Sequence, residues 1–235
     1  VEELINALID SEMLSKHSGQ WVLTKTIDDS FISTNIQGVL AGRIDRLGHD
    51  TKRILQEASV IGRAFLFDIL SRISEIKENI DQNLVMLERL DLISAKSIQP
   101  TLEYIFKHAL IHQAAYNTIL SGQRKELHLK VGRAIEKVFE NRIHDFYGIL
   151  AYHYVMGEDP AKAEQYLIKA GEEALRSSAS SEALNYYQEG LKLYLQLNKD
   201  AADPEKLAMF EKNIAIALYN KTRWMESVEH FDKIF

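Results

Sequence analysis

The stretch Thr34–Phe65, TNIQGVLAGRIDRLGHDTKRILQEASVIGRAF, restricts the fold more than any other part of this chain. It reads as two helices back to back, each with its own start and stop. Thr34 with Gln37 three residues later forms a capping box, in which the two side chains satisfy each other's free backbone amides. Ile36, Val39, Leu40, Ile44 and Leu47 then recur on one helical face, with Arg43 and Arg46 pointing away from it. Gly48 is expected at the position just past the helix end. Asp50 is expected to cap a second helix, in which Ile54, Leu55, Ala58 and Ile61 recur before Gly62 closes it. A third, short helix is expected to start at Phe65, with Phe67, Ile69 and Leu70, and to end near Ile73.

Around this stretch the pattern stays mainly helical, with one small β element. A fourth helix over Ile76–Leu90 would turn Ile80, Leu84, Leu87 and Leu90 inward. Leu92–Lys96 and Leu102–Phe106 alternate polar and apolar residues and flank Gln99-Pro100, the pattern of a hairpin. Three helices and a hairpin, in this order, predict a winged-helix domain over residues 34–107 with the hairpin as its wing. Upstream, Glu2–Asp10 reads as a helix. Met13–Ser15 and Gln20–Thr24 read as two short strands turning at Lys16-His17-Ser18-Gly19. Residues 1–33 are thus expected to be the tail of a preceding domain.

Downstream of Lys107 everything reads as helix. His108–Leu120 offers Ala109, Leu110, Ala114, Tyr116 and Leu120 for burial, and Gly122 is expected to break it. Glu126–Glu140 sets Leu127, Val131, Ala134, Ile135 and Val138 against a basic face of Arg124, Lys125, Lys130, Arg133 and Lys137. These two helices, within residues 108–142, link to a region over 143–235 that repeats itself. Ala151, Ala163, Leu167 and Ala170 are echoed by Gly171, Ala183, Tyr187 and Gly190, and again by Ala215, Ser227, Phe231 and Ile234. Small residues at such places let antiparallel helices approach closely while Leu167, Tyr187 and Phe231 fill the gap. That is the packing logic of tetratricopeptide-like (TPR-like) helix pairs. Asp159-Pro160 and Asp203-Pro204 mark two helix starts, as N-cap followed by the first helical residue. The echoes lie 20 and then 44 residues apart rather than at an even 34. Both chain ends read as cuts from something longer.

Chemistry is hard to find in this chain. It contains no GxxxxGK[ST] phosphate loop, no GxSxG elbow and no HExxH. His108 and His112 have helical metal-ligand spacing but lack a third ligand. No metal site, cofactor or catalytic centre is expected. Zero cysteines exclude disulfides and thiolate chemistry and fit a reducing cytoplasm. The apolar runs are too short to span a bilayer. The formal net charge is −6, and the fourth helix carries Glu78, Asp81, Glu88 and Asp91 against Lys77 and Arg89. Both features oppose duplex binding, which needs a concentrated positive face.

Four segments carry a family resemblance: IQGVLAGRIDRL (Ile36–Leu47), ASVIGRAF (Ala58–Phe65), YIFKHALIHQAAYNTIL (Tyr104–Leu120) and RKELHLKVGRAIE (Arg124–Glu136). They resemble the region just downstream of the nucleotide-binding domain in bacterial STAND-type ATPases, which occur fused to cyclase, kinase or LuxR-type domains. Tyr166–Tyr194 is similar to the first helical repeats of the same proteins. The resemblance covers nearly the whole chain. It implies a non-catalytic regulatory segment that packs on an upstream ATPase domain and meets protein partners through its repeats, with ATP or ADP bound only elsewhere in the parent. The FKHAL of Phe106–Leu110 resembles the element that ends the winged helix in immunity and apoptosis relatives, where a histidine senses the nucleotide. His108 occupies that place, although Ala109 replaces the Asp that follows in the family. A stand-alone TPR-like scaffold and a DNA-binding winged-helix regulator are the alternative readings.

Overall fold

A computed structural model describes residues 14–17, 20–23, 38, 40–97, 101–198 and 201–234. These residues are mainly helical. The chain divides into two units, Val1–Gln123 and Arg124–Phe235, so the division falls inside the segment expected to link the repeats.

In the first unit, β1 (Leu14–His17) and β2 (Gln20–Leu23) pair antiparallel, Leu14 facing Leu23 and His17 facing Gln20. Lys16 and His17 therefore belong to the strand rather than to the turn expected there. The expected helix over Glu2–Asp10 and the Thr34–Gln37 capping box lie outside the described residues.

Residues 40–45 are helical, with Leu40 and Leu47 half-buried against a core that contains Ile44. Gly48 does not close this helix. It is the N-cap of α1 (His49–Ile61), with no side-chain cap bond, and Asp50 sits in the first turn instead of capping. Gly48 lies at φ −56° and ψ 149°. Its extended backbone starts a helix rather than reversing out of one.

Gly62 ends α1 at φ +150°, donating its N–H to Ala58 O. Other residues rarely adopt that conformation. The chain then leaves as β3 (Ala64–Leu66) before α2 (Phe67–Ile73). Phe65 thus lies in a strand and not in the third helix, whose end at Ile73 is as expected. The fourth helix, α3, covers only Ile80–Arg89, and Asn79 before it is left-handed at φ 61°. Ile80, Leu84 and Leu87 are buried and Leu90 is half-buried.

The hairpin is present as β4 (Ile93–Ser97) and β5 (Glu103–Phe106), with Ile93 opposite Phe106 and a bulge between Ala95 and Ser97. β5 also pairs antiparallel with β3, Phe65 facing Tyr104, to give a three-stranded sheet of order β3-β5-β4. The cross-strand pair stacks, with Phe65 and Tyr104 ring centres 5.6 Å apart, and Phe106 meets Phe65 edge-on at 5.7 Å. These rings, Ile54, Leu55 and Leu84 form one core.

After β5, α4 runs from Ala109 to Asn117. Its buried face is Ile111, Ala114, Ala115 and, just beyond, Ile119. Of the residues expected to be buried, only Ala114 is. Leu110 and Tyr116 are half-buried, Ala109 is exposed and Leu120 is 71% exposed. Apolar residues lie on more than one side of this helix, and the side that packs is the one carrying Ile111, Ala114, Ala115 and Ile119. Gly122 is no breaker. It lies in the first turn of α5 (Ser121–Val138), with open space where a Cβ would be.

The second unit takes most of α5, a 3-10 stretch at Glu140–Phe146, then α6 (Tyr147–Met156), α7 (Pro160–Arg176), α8 (Ser180–Leu197), α9 (Pro204–Asn220) and α10 (Trp224–Asp232). Each of α6 to α10 packs on the helix before or after it. Both Asp-Pro starts hold: Asp159 accepts from Lys162 N at 3.1 Å and Asp203 from Glu205 N at 3.0 Å.

Three of the turns are alike. Glu158, Ser178 and Thr222 are left-handed, at φ 55°, 63° and 59°. The next residue in each case donates its N–H back across the turn, Asp159 to Tyr154 O, Ala179 to Ala174 O and Arg223 to Leu218 O. The sequence echoes are centred on these turns. Ala151, Gly171 and Ala215 precede the left-handed residue by seven, and Ala163, Ala183 and Ser227 follow it by five. The uneven spacing has a physical cause: one helix, α7, separates the first two of these turns, whereas two, α8 and α9 with the longer connection between them, separate the second and third.

The small residues sit at close approaches. A Cβ on Gly171 would lie 2.7 Å from the Tyr187 ring, and one on Gly190 2.9 Å from Phe210. Ala183 and Tyr187 are fully buried beside them. Ser227 Oγ donates to Ala215 O at 2.8 Å, tying α10 to α9.

Candidate functional site

His108, the residue singled out for nucleotide sensing, is the N-cap of α4. Its backbone is extended, its side chain makes no cap bond, and it is exposed. The first-turn amides of α4 give that end a partial positive charge. Lys107 beside it pairs with Asp91 at 3.3 Å. An exposed imidazole at a helix start can donate to an anion, and that is all the local geometry provides.

His112, one turn on, is committed elsewhere. Its Nε2 lies 2.8 Å from Ser59 O on α1, and its ring meets Phe106 edge-on at 5.2 Å. Burial lowers its pKa below the usual imidazole value; the Ser59 bond opposes this and Arg63 adds to it. The structure therefore does not bring His108 and His112 together as ligands. Among the described residues no three His, Cys, Asp or Glu side chains are grouped to hold a metal ion.

Three polar arrangements in the interior are absent from the sequence reading. In the first unit, Glu57 on α1 is fully buried. Its Oε1 accepts from Arg53 Nε at 3.2 Å and from the Glu75 N–H at 3.3 Å, while Oε2 has no partner. Arg53 also reaches Glu75 Oε2 at 3.0 Å, so this cluster anchors the connection between α2 and α3.

In the second unit, His128 on α5 and His153 on α6 are buried with their Nδ1 atoms 2.9 Å apart. One ring must donate and the other accept. Burial lowers both pKa values, to about 4 for His128, where Arg124 adds to the effect, and to about 3 for His153, where His128 does. The pair is neutral at physiological pH.

The third arrangement joins α5, α6 and α7. Lys162 Nζ lies 2.8 Å from both Glu136 oxygens and 3.0 Å from Tyr154 OH, and Tyr166 OH donates to Glu136 Oε1 at 2.7 Å. Burial raises the Glu136 carboxyl, but these bonds outweigh it and hold it below the usual range. Tyr154 and Tyr166 are pushed well above the ordinary phenol value, by burial first and Glu136 second. Each of the three ties neighbouring segments of its unit together. In sequence they are invisible because each depends on a contact between residues 18 to 30 positions apart.

The basic face of α5 is partly neutralised, Lys125 by Glu158 at 2.7 Å and Lys130 by Glu126 at 3.0 Å. On the outer helices, Leu191, Leu195 and Ile214 line an open groove of about 420 Å3 edged by Gln188, Lys192 and His230.

No family model matches the chain, and no solved structure does. The chain is similar to the peroxide stress-activated histidine kinase mak3 of Schizosaccharomyces pombe, 26% identical over 180 residues. The match covers 72% of this chain but 7% of that protein. No helix among the described residues is long and apolar enough to cross a membrane.

Proposed function

We propose that this chain is a non-catalytic coupling segment of a cytoplasmic STAND-type signalling ATPase. The first unit acts as a winged helix and the second as a TPR-like array for protein partners. The observation that carries the reading is the strand order. A helix, a three-residue strand, two helices and a hairpin close into a sheet of order β3-β5-β4, an order that supports the winged-helix reading. The three matching turns, with small residues at constant offsets, support the TPR-like half.

In this reading His108 is presented to the nucleotide of the upstream domain, and the apolar groove between α8 and α9 receives a partner. The stand-alone scaffold shares that groove but needs no upstream ATPase. The DNA-binding reading is disfavoured by α3, whose acidic side chains are partly used in the fold. Glu88 accepts from Ala95 N at 2.8 Å, and Asp91 pairs with Lys107.

The test uses the parent polypeptide. Its reading frame should encode a GxxxxGK[ST] motif upstream of Val1, and purified protein should retain ADP. His108→Ala should speed ADP release and raise basal output. A parent without the motif, or unchanged ADP retention in the variant, would overturn the coupling role. Salt-sensitive binding of this chain to duplex would restore the DNA-binding alternative.

A further inference from the structure

Within the first unit, the end of the 40–45 helix, the start of α1 and the end of α3 enclose a cavity of about 240 Å3. Leu47, Met86, Leu90 and Leu92 make it apolar, and Arg43 and Arg46 make it basic. Among the described residues no carboxylate lines it. Arg43 Nη2 donates to Leu90 O at 3.3 Å, at the C-terminal end of α3 where a cation is favoured. Arg46 is exposed and has no ion pair or hydrogen bond among the described residues. The acids nearest in sequence are engaged, Asp45 with Lys52 at 2.7 Å and Asp50 with His49 at 2.9 Å. Among the described residues the cavity therefore presents uncompensated positive charge, in a chain whose formal net charge is −6.

Size and surroundings decide what such a cavity takes. Ligand pockets for drug-sized molecules run to about 300–1,000 Å3. This one is smaller, and suits a single large side chain rather than a nucleotide. Outside it, Val85 and Met86 on α3 are 45% and 47% exposed. They extend the apolar surface beyond the cavity, and methionine adapts easily to a partner.

We propose that this cavity docks an acidic protein segment. One large apolar or aromatic side chain fills the space between Leu47, Met86 and Leu90. A neighbouring carboxylate pairs with Arg46, which has the fork geometry for a bidentate contact. Val85 and the exposed part of Met86 cover the flanking residue. On a winged helix this surface would be the outer face of α3, used here for an acidic peptide and not for a duplex. The docking rests on the cavity and its charge, and stands whether or not an ATPase domain lies upstream.

The experiment titrates the 235-residue chain with the blocked peptide acetyl-Glu-Glu-Phe-Glu-amide, followed by backbone amide shifts. Two control peptides replace every Glu with Lys, or Phe with Ala. Saturable binding is expected, with shifts centred on Leu47–Thr51 and Leu90–Leu92. Either control should bind about tenfold more weakly, and Arg46→Gln should weaken the parent peptide about tenfold. Arg72→Gln, an exposed arginine away from the cavity, should change nothing. Equal affinity for the Lys peptide, equal affinity of Arg46→Gln, shifts centred elsewhere, or no saturation in the millimolar range would each overturn the proposal. A concentration-dependent dimer abolished by Arg46→Gln would also overturn it, by showing that a second copy fills the cavity.

Discussion

The two units solve the same problem, burying apolar surface from a chain with few turns, in opposite ways. The first gathers Ile54, Leu55, Leu84, Phe65 and Phe106 from four elements around one centre and closes it with a sheet. The second builds its core serially, each helix burying a stripe against the next, and uses Gly and Ala to let Tyr187 and Phe210 into the gaps. In the first unit a side chain matters because many elements converge on it. In the second it matters because two backbones come close there. The consequences of substitution should differ accordingly, in size and in how far they spread.

The largest effect is expected where convergence is greatest. Phe106→Ala removes a fully buried ring that touches Phe65 and His112 from β5. It should cost about 3–5 kcal/mol. Urea unfolding should show the loss, and amide exchange should place it across α1, β3 and β5 together. Exchange confined to β5 would break the contrast, because the first unit would then be as divisible as the second.

Next comes a pH effect specific to the second unit. His128 and His153 are held neutral with pKa values near 4 and 3, against about 6.5 in the unfolded chain. Unfolding takes up protons in this window, so their contribution is intact above pH 6.5 and is lost as pH falls through 4. The loss should reach on the order of 3 kcal/mol for each histidine by pH 4, the size of a shift of two to three pKa units. Replacing both residues by Leu should leave stability at pH 7 within about 2 kcal/mol, because donor and acceptor leave together. The slope between pH 6.5 and 4 should flatten. If wild type and the double variant show equal slopes in pH-dependent urea melts, the pair is not responsible.

Gly171→Ala should cost less, about 1–3 kcal/mol, as its methyl group meets the Tyr187 ring. Amide exchange should rise along α7 and α8 and little elsewhere. Tyr187 has some freedom to yield, since its hydroxyl already lacks a partner and burial, with Glu172, pushes its pKa up to about 12. The smaller and more local effect would mark the serial design.

The same contrast explains what could be read in the sequence. The repeats were legible because each echo is local: a left-handed turn with small residues at fixed offsets on both sides. Helix ends with a chemical reason were legible too, at Gly62, Asp159-Pro160 and Asp203-Pro204. β3 was not, because three residues are too few for an alternating pattern and the strand exists only through its pairing with β5. Gly48 was misplaced because a glycine between two helices can end one or begin the other, and only its φ decides. The buried face of α4 is ambiguous in the sequence because apolar residues lie on more than one side of it, and only packing selects Ile111, Ala114 and Ala115. His108 is a candidate only through its likeness to a motif, whereas the Arg43–Arg46 cavity depends on α3 returning to the start of α1 and leaves no trace in either segment alone.

The smallest effect belongs to His108. It is exposed, caps nothing with its side chain and lies outside both cores. His108→Ala should therefore change the unfolding free energy of this chain by less than about 0.5 kcal/mol. That near-silence makes the residue informative. If the variant melts like wild type and yet alters ADP retention in the parent, the effect is one of contact with the nucleotide. A loss of more than 1–2 kcal/mol would instead make His108 part of the fold, and any change in output would be read as destabilisation of the first unit.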